Sequence, residues 1–583
     1  MPDTEVKRLV SSNGAETGSI QASRRHVIKG LALTAVAGGL GSTVLAEAAP
    51  AAPDSGYPKI SPATGDTIRA TDTNPVVETA YGHIRGYVRN GIYAFKDIPY
   101  GADTSGVNRF MPPQKPVPWT GTRPCLYHGY VSPQPPRAGW KSNEESWLFS
   151  WDDGTQSEEC LNLNVWTPGL DNAKRPVMVW LHGGGFSAGS ATELPSYDGE
   201  NLAHRGAVLV SVTHRLNVFG YLNLAAFGDK YALSGNAGML DIVAALEWVR
   251  DHIAQFGGDP NRVTIFGQSG GGGKVTTLMA MPPAKGLFHR AIVESGSLMT
   301  CATIESSNTL AEKLLKQLEI NPSDLDKLQQ LPFEDLAKAA EKATALHLPA
   351  SGVIDFRHMQ GLLGWSPVAG DAALPNQPFD PTAPEISASV PMIVGNTLNE
   401  FITAIDKPDA FSMNKEEMES NVKKLWKDNT EAVIGAFREA FPNANYFQLW
   451  SAIGTSTVRA SSLEQCRRKA ALKAAPAYNY RFDWQPPILE GRPMAFHCSE
   501  LAFVFDNTAR CENMTGNGVA ARSLSSRMSE AWVHFAASGD PNHSAIPHWQ
   551  PFDPATNGTM VFDDVCAYRE HLDDDCQKVI NQD

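Results

Sequence analysis

Short, nearly continuous apolar runs recur along the chain at 177–181, 208–212, 263–266, 291–293 and 392–394, punctuated by Gly, Asn or Asp and separated by stretches long enough for helices. A strand with one wet face alternates apolar and polar positions. Runs apolar at consecutive positions are instead buried on both faces, and with helices between them they predict a mostly parallel sheet covered on both sides. Between the second and third runs, Ile242, Ala245, Leu246 and Val249 repeat at helical spacing in a segment that ends near Phe256-Gly257-Gly258. Upstream, 76–79 and 82–86 are strand-like runs separated by turn residues, an antiparallel opening. Residues 306–348 read as helices, with Leu310, Leu314 and Leu318 on one face and a restart at Pro332. Together with 402–475 they are expected to be helical insertions that roof the sheet over its functional end. No repeat or low-complexity tract interrupts the pattern after residue 60, so 49–583 is expected to be a single α/β domain.

Composition narrows the partners. The chain has 63 acidic and 49 basic side chains, a net charge of −14, which argues against nucleic acid and anionic lipid as ligands. The first 48 residues carry Ser23-Arg24-Arg25-His26-Val27-Ile28-Lys29, an uncharged run over 30–46 and the small-residue site Ala46-Glu47-Ala48. That is the layout of a twin-arginine signal peptide, so residues 1–48 are expected to be removed and the protein delivered folded to the periplasm or beyond the cell. The run is short and diluted by Gly and Thr, with no basic residues at its far end, which argues against a membrane anchor. Eight cysteines suit an oxidising destination, yet none form a C-x-x-C pair, and neither H-E-x-x-H nor an EF-hand spacing occurs. No protein-held metal is expected.

The chemistry is concentrated at two glycine-rich turns. The run 263–266 passes into Gly267-Gln268-Ser269-Gly270-Gly271 and then into a helix-compatible segment. This is G-x-S-x-G in the strand–turn–helix setting that lifts a serine hydroxyl above a sheet, which makes Ser269 the candidate nucleophile. His182-Gly183-Gly184-Gly185-Phe186 directly follows another buried strand. Amides of Gly184 and Gly185, with that of Gly270, would converge on the oxygen of an attacked carbonyl. Rival readings of these glycines fail on spacing. A phosphate-binding loop ending at Gly273-Lys274 would need Gly at Gln268 and Ser or Thr at Val275. A dinucleotide fingerprint starting at Gly183 lacks the helix opening, and its next strand ends in Thr213-His214-Arg215 rather than an acid.

A serine needs a base, and the base a carboxylate to orient it. Among the histidines beyond residue 400, His534 lies in a helical run, and His543, His548 and His571 lie in polar or acidic tail segments. His497 lies in a loop beyond the strand-like run 478–482, where it can face Ser269. Glu400 follows the buried run 392–394 by a short polar turn, and Asp371 is its rival; position alone leaves both open.

At this point the residues resemble the type-B carboxylesterase/lipase family, from about residue 76 to 563. The likeness rests on Asp97-Ile98-Pro99-Tyr100, Glu158-Glu159-Cys160-Leu161-Asn162-Leu163-Asn164-Val165, the loop 182–186, Phe256-Gly257-Gly258-Asp259-Pro260, the Ser269 elbow, His497-Cys498-Ser499-Glu500-Leu501-Ala502-Phe503-Val504-Phe505 and Ser538-Gly539-Asp540-Pro541-Asn542. The resemblance implies an α/β-hydrolase fold with antiparallel N-terminal strands and a cofactor-free serine hydrolase acting on small-molecule esters. Its G-x-x-x-x-E turn favours Glu400 over Asp371, and its His precedes an E-x-x-F-V-F-like run, which picks His497. Three departures stand out. Gln268 and Gly270 flank the nucleophile where the family usually has Glu and Ala, which argues against cationic choline esters. The usual partner of Cys160 would fall at Ser132, which leaves Cys125 as the expected substitute in a disulfide. Phe401 replaces the Gly that often follows the acid and is expected to narrow the pocket. Phe186, Gln268 and Phe401 are therefore the expected substrate contacts, and the aromatic, acidic segment 140–151 is either a rim of that pocket or a packed surface loop. Two alternatives remain at this level: an esterase-like binding protein without activity, and a nucleotide-dependent oxidoreductase.

Overall fold

A computed structural model of the chain describes residues 67–136, 142–347 and 364–582. The expected signal peptide, and Trp140 of the segment 140–151, lie outside these residues.

Twelve strands form one sheet in the order Ile68–Arg69, Tyr87–Arg89, Ile92–Pro99, Asn162–Thr167, Val208–Val212, Arg175–Leu181, Gly258–Gln268, Arg290–Glu294, Met392–Thr397, Ala477–Phe482, Thr559–Phe562 and Ala567–Arg569. The seven from Val208–Val212 to Thr559–Phe562 run parallel, and the pairings outside them are antiparallel. All five apolar runs are strands of the parallel part. Side chains alternate between two cores with period two. Val177, Val179, Leu181, Val263, Ile265, Ala291, Val293, Met392 and Val394 enter one; Met178, Trp180, Phe266, Ile292 and Ile393 enter the other. Each buried aliphatic or aromatic side chain contributes roughly 2 kcal/mol. A one-residue slip would exchange two differently shaped sets, so the register is fixed from both sides.

Helices Ala237–His252, Gly270–Leu278, Ile304–Gln317, Phe333–His347 and Ser456–Ala471 supply the first core, and Val519–Ser538 with Leu501–Val504 the second. Ala237–His252 runs through a short 3-10 turn to Gly257, whose φ of 73° is the left-handed stop. The runs 76–79 and 82–85 do pair antiparallel, but in a separate three-stranded sheet with Thr122–Pro124. Gly86 marks the crossing to the large sheet, because a Cβ there would collide with the Ala94 carbonyl oxygen.

The insertion after Glu400 is four helices, Lys415–Trp426, Thr430–Ala440, Tyr446–Gly454 and Ser456–Ala471. The first and third begin with reciprocal capping boxes, Asn414 with Glu417 and Asn445 with Gln448. Their apolar faces meet in a third cluster that takes in Met494, three residues before His497, so the roof also anchors the histidine loop.

One sequence expectation is corrected here. All eight cysteines are unpaired and buried, and Cys125 does not bridge to Cys160. The Cys125 thiol faces the Asp97 carbonyl oxygen at 3.9 Å, and Cys160 keeps a hydrogen bond to Ser132, the residue standing where a second thiol was expected. In the segment 140–151 the described residues 142–151 contain the helix Asn143–Phe149, capped by Ser142, with Leu148 and Phe149 in the core and Trp147 on the surface. Among the described residues no helix is long and apolar enough to cross a membrane.

Candidate active site

The parallel strands deliver the candidate residues at their carboxyl ends. Ser269 sits between Gly258–Gln268 and Gly270–Leu278, half-buried, with φ 57° and ψ −125°, a conformation rarely adopted by a residue with a side chain. The turn is held by Ser269 N donating to Glu294 O at 2.8 Å and Gly273 N donating to Ser269 O at 3.0 Å. The flanking glycines are needed for close approach: a Cβ on Gly267 would lie 2.6 Å from the Leu181 carbonyl oxygen, and one on Gly271 would strike the same atom.

The loop after Arg175–Leu181 lies against this elbow. Gly184, Gly185 and Phe186 have successive positive φ of 83°, 59° and 68°, a backbone course that turns amides into a concave anion-binding nest. A Cβ on Gly183 would sit 3.4 Å from Ser269 Cβ, and one on Gly270 would collide with the Gly185 amide nitrogen. The three candidate oxyanion donors, Gly184, Gly185 and Gly270, are thus neighbours around Ser269.

Glu400 follows Met392–Thr397 and is 1% exposed; His497 is 3% exposed. Their side chains are hydrogen-bonded, His497 Nδ1 to Glu400 Oε2. The backbones pair as well: Glu400 bridges to Phe496, and His497 N donates to Glu400 O at 2.8 Å. The other carboxylate oxygen, Oε1, accepts from Ser295 Oγ at 2.7 Å and Thr397 N at 2.9 Å. Asp371 is employed elsewhere, accepting from Asn236 and from the amides of Ala373 and Leu374.

Gln268 places its amide nitrogen 3.1 Å from His497 Nε2, while its carbonyl oxygen accepts from Cys498 Sγ at 3.1 Å. The same amide nitrogen is 3.3 Å from His497 Nδ1, so the amide lies against the ring and not in line with one lone pair; with Nδ1–H directed to Glu400, Nε2 carries the free lone pair. This is the neutral tautomer that can take a proton. The Phe401 ring lies against the imidazole, 4.0 Å between centroids and tilted by 35°, and is 49% exposed, so it forms the outer cover of the histidine. Phe186 is 1% exposed, its ring packed edge-on to Tyr221 and beneath Gly273. It supports the loop from the core side.

Sequence reasoning missed Ser295, which holds the acid; the signal was its place at the carboxyl end of Arg290–Glu294, next to the ends that carry Ser269 and Glu400. It also missed the buried acids behind the site. Burial pushes Glu294 up to about 8 and Glu500 well above the usual carboxylate range. Glu294 Oε1 accepts from Trp532 Nε1 at 2.7 Å. A carboxyl raised on folding stabilises while protonated, and that stability is lost as pH rises from its unfolded value, about 4.5, through about 8. Glu294→Gln keeps the bond from Trp532 and removes the titration. Melting temperatures of the two proteins are expected to coincide near pH 5 and to separate by roughly 2 °C in favour of the variant at pH 9. A gap independent of pH would show that Glu294 does not titrate upward in the fold.

The model of the carboxylesterase family matches residues 73–576. The para-nitrobenzyl esterase of Bacillus subtilis is 34% identical over 501 residues, 84% of this chain and 95% of that protein. The phenmedipham hydrolase of Pseudarthrobacter oxydans is 31% identical over 498 residues, 83% of this chain and 94% of that protein. Among solved structures, an esterase from Clostridium hathewayi that can hydrolyse aliphatic aromatic polyesters superposes with a TM-score of 0.75 at 34% identity, covering 88% of this chain and 98% of that one. A carboxylesterase of Geobacillus stearothermophilus gives 0.72 at 33%, covering 86% and 99%. With its α/β-hydrolase sheet, its serine at the strand–helix elbow and these relatives along nearly its whole described length, the chain belongs to the carboxylesterase family and is a carboxylesterase.

Proposed function

We propose that the protein hydrolyses uncharged carboxylic esters through an acyl-enzyme, with Ser269 as nucleophile, His497 as general base and acid, and Glu400 as the group that orients the imidazole. The observation that carries this reading is the buried hydrogen bond between Glu400 and His497 Nδ1, which leaves the Nε2 lone pair beside the Ser269 elbow. Ser269 Oγ bonds to the ester carbonyl carbon as its proton passes to His497 Nε2. The carbonyl electron pair moves onto oxygen, where the amides of Gly184, Gly185 and Gly270 stabilise it by about 3 kcal/mol per donor. Collapse expels the alcohol, which takes the proton from His497. Water then repeats the sequence on the acyl-enzyme and releases the acid. No step calls for a metal or organic cofactor.

Paraoxon tests the assignment. One diethylphosphoryl group per chain, mapped by mass spectrometry to Ser269, is the expected result. An unlabelled protein would instead support an esterase-like binding module, and labelling at another serine would move the nucleophile.

Two side chains argue for the substrate class. Gln268 is neutral, so the residue before the nucleophile offers no charge to a cationic substrate. Phe401 covers the imidazole and limits the width beside it. Phe401→Ala is expected to raise kcat/KM for p-nitrophenyl esters of bulky acids by about 10-fold relative to the acetate. Equal effects on bulky and small acyl groups would remove Phe401 from the acyl path. Export by the twin-arginine route remains part of this reading, supported by the motif at 23–29, and is tested by whether the Arg24→Lys, Arg25→Lys variant stays in the cytoplasm.

A further inference from the structure

The helix that leaves the nucleophile contains a lysine that the proposed mechanism does not use. Lys274 is 0% exposed, in a helix whose other residues are glycine, valine, leucine and threonine. Burying an ammonium costs several kcal/mol unless its surroundings solvate it, and a methionine would fill the same space without that cost. Burial draws this amine down to about 7, with the buried acid Glu193 acting in the other direction.

What Lys274 touches is specific. Its Nζ donates to His182 O at 2.8 Å and to Gly183 O at 3.4 Å, and lies 5.8 Å from the centre of the Phe186 ring. The Gly183 carbonyl is held a second time, by His182 Nδ1 at 3.0 Å. These carbonyls belong to the peptides whose N–H groups are those of Gly183 and Gly184. In a planar trans peptide the C=O and N–H point in opposite directions. A donor fastened beneath the two oxygens therefore turns both N–H groups away from Lys274, in a loop that packs on the nucleophile, a Gly183 Cβ falling 3.4 Å from that of Ser269. Glycines at 183–185 leave the backbone free to rotate, so an external fastening is what such a loop requires.

We propose that Lys274 is a positioning residue of the oxyanion hole: its bonds to the His182 and Gly183 carbonyls fix the direction of the Gly184 N–H and polarise that peptide, so that the donor is aimed before charge develops. The proposal rests on the acyl-enzyme reading above. It differs from a packing role in where the loss appears, because a donor aimed at the oxyanion acts on the transition state and not on the bound ester.

The test compares wild type with Lys274→Met, each titrated with paraoxon so that rates are expressed per competent site, using p-nitrophenyl acetate as substrate and a trifluoromethyl ketone as an oxyanion-forming inhibitor. Expected is a kcat lower by roughly 30–100-fold, KM within about threefold, and ketone affinity lower by the same factor as kcat/KM. A kcat per site within threefold of wild type, a loss carried by KM alone, or an unchanged ketone affinity would overturn the proposal. If Lys274→Met does not fold, Lys274→Gln, which keeps a neutral donor in the same space, is read by the same quantities and is expected to lose less. Wild type that paraoxon fails to label would instead remove the Ser269 reading, so the two failures are distinguishable.

Discussion

Ser269→Ala is expected to lower kcat by about 10⁶-fold while leaving the melting temperature within about a degree of wild type. The two halves of that expectation come from different parts of the elbow. The turn is held by backbone bonds, Ser269 N to Glu294 O and Gly273 N to Ser269 O, and by the close packing of Gly267 and Gly271 on the Leu181 carbonyl. None of these involves the hydroxyl. The unusual φ and ψ of residue 269 are imposed on alanine as they are on serine, so the strain is unchanged. What disappears is the one atom that forms the covalent bond. His497 and Glu400 then have no hydroxyl to activate, and their removal in addition would cost little more, as expected for groups that act as a unit. The measurement is p-nitrophenyl acetate turnover with a thermal melt on the same preparation. Substantial esterase activity in a folded variant would defeat the assignment.

How far the sequence reaches depends on the range of the interaction that decides each feature. The parallel strands were legible because burial on both faces leaves a purely local mark, a run such as 177–181 with no polar position. The elbow was legible for the same reason: Gly267 and Gly271 answer to a clash that any strand–turn–helix of this kind creates. The acid was not. Glu400 and Asp371 both sit in polar turns after apolar segments, and what separates them is that Glu400 meets Ser295 and, 97 residues along the chain, His497. Family likeness chose between them where position could not.

The same likeness misled over the cysteines. Pairing requires two Cβ atoms roughly 4 Å apart with matched directions, and sequence separation carries no such information; Cys125 and Cys160 are both buried yet unpaired. Lys274 was read only against a phosphate-binding pattern, which it fails. The better signal was a single charge inside a short helix otherwise free of polar side chains except threonine, since such a charge must be solvated by something in the fold.

The second large effect is expected from Glu400→Gln, which should lower kcat by about 10⁴-fold with little loss of stability. The substitution preserves size, and the hydrogen-bond pattern dictates how the new amide must sit. Ser295 Oγ and Thr397 N both donate to Oε1, so that position requires an acceptor and takes the amide oxygen. The NH2 group is therefore left facing His497 Nδ1, where Glu400 Oε2 had been. A donor at Nδ1 demands the ring lone pair there and moves the ring proton to Nε2. The imidazole then has no lone pair toward Ser269, although every side chain keeps nearly its original place. The loss should appear equally in kcat for p-nitrophenyl acetate and in the rate of phosphorylation by paraoxon, because both begin with the same proton transfer. A reduction of less than about 10-fold in either rate would show that Glu400 does not set the tautomer of His497.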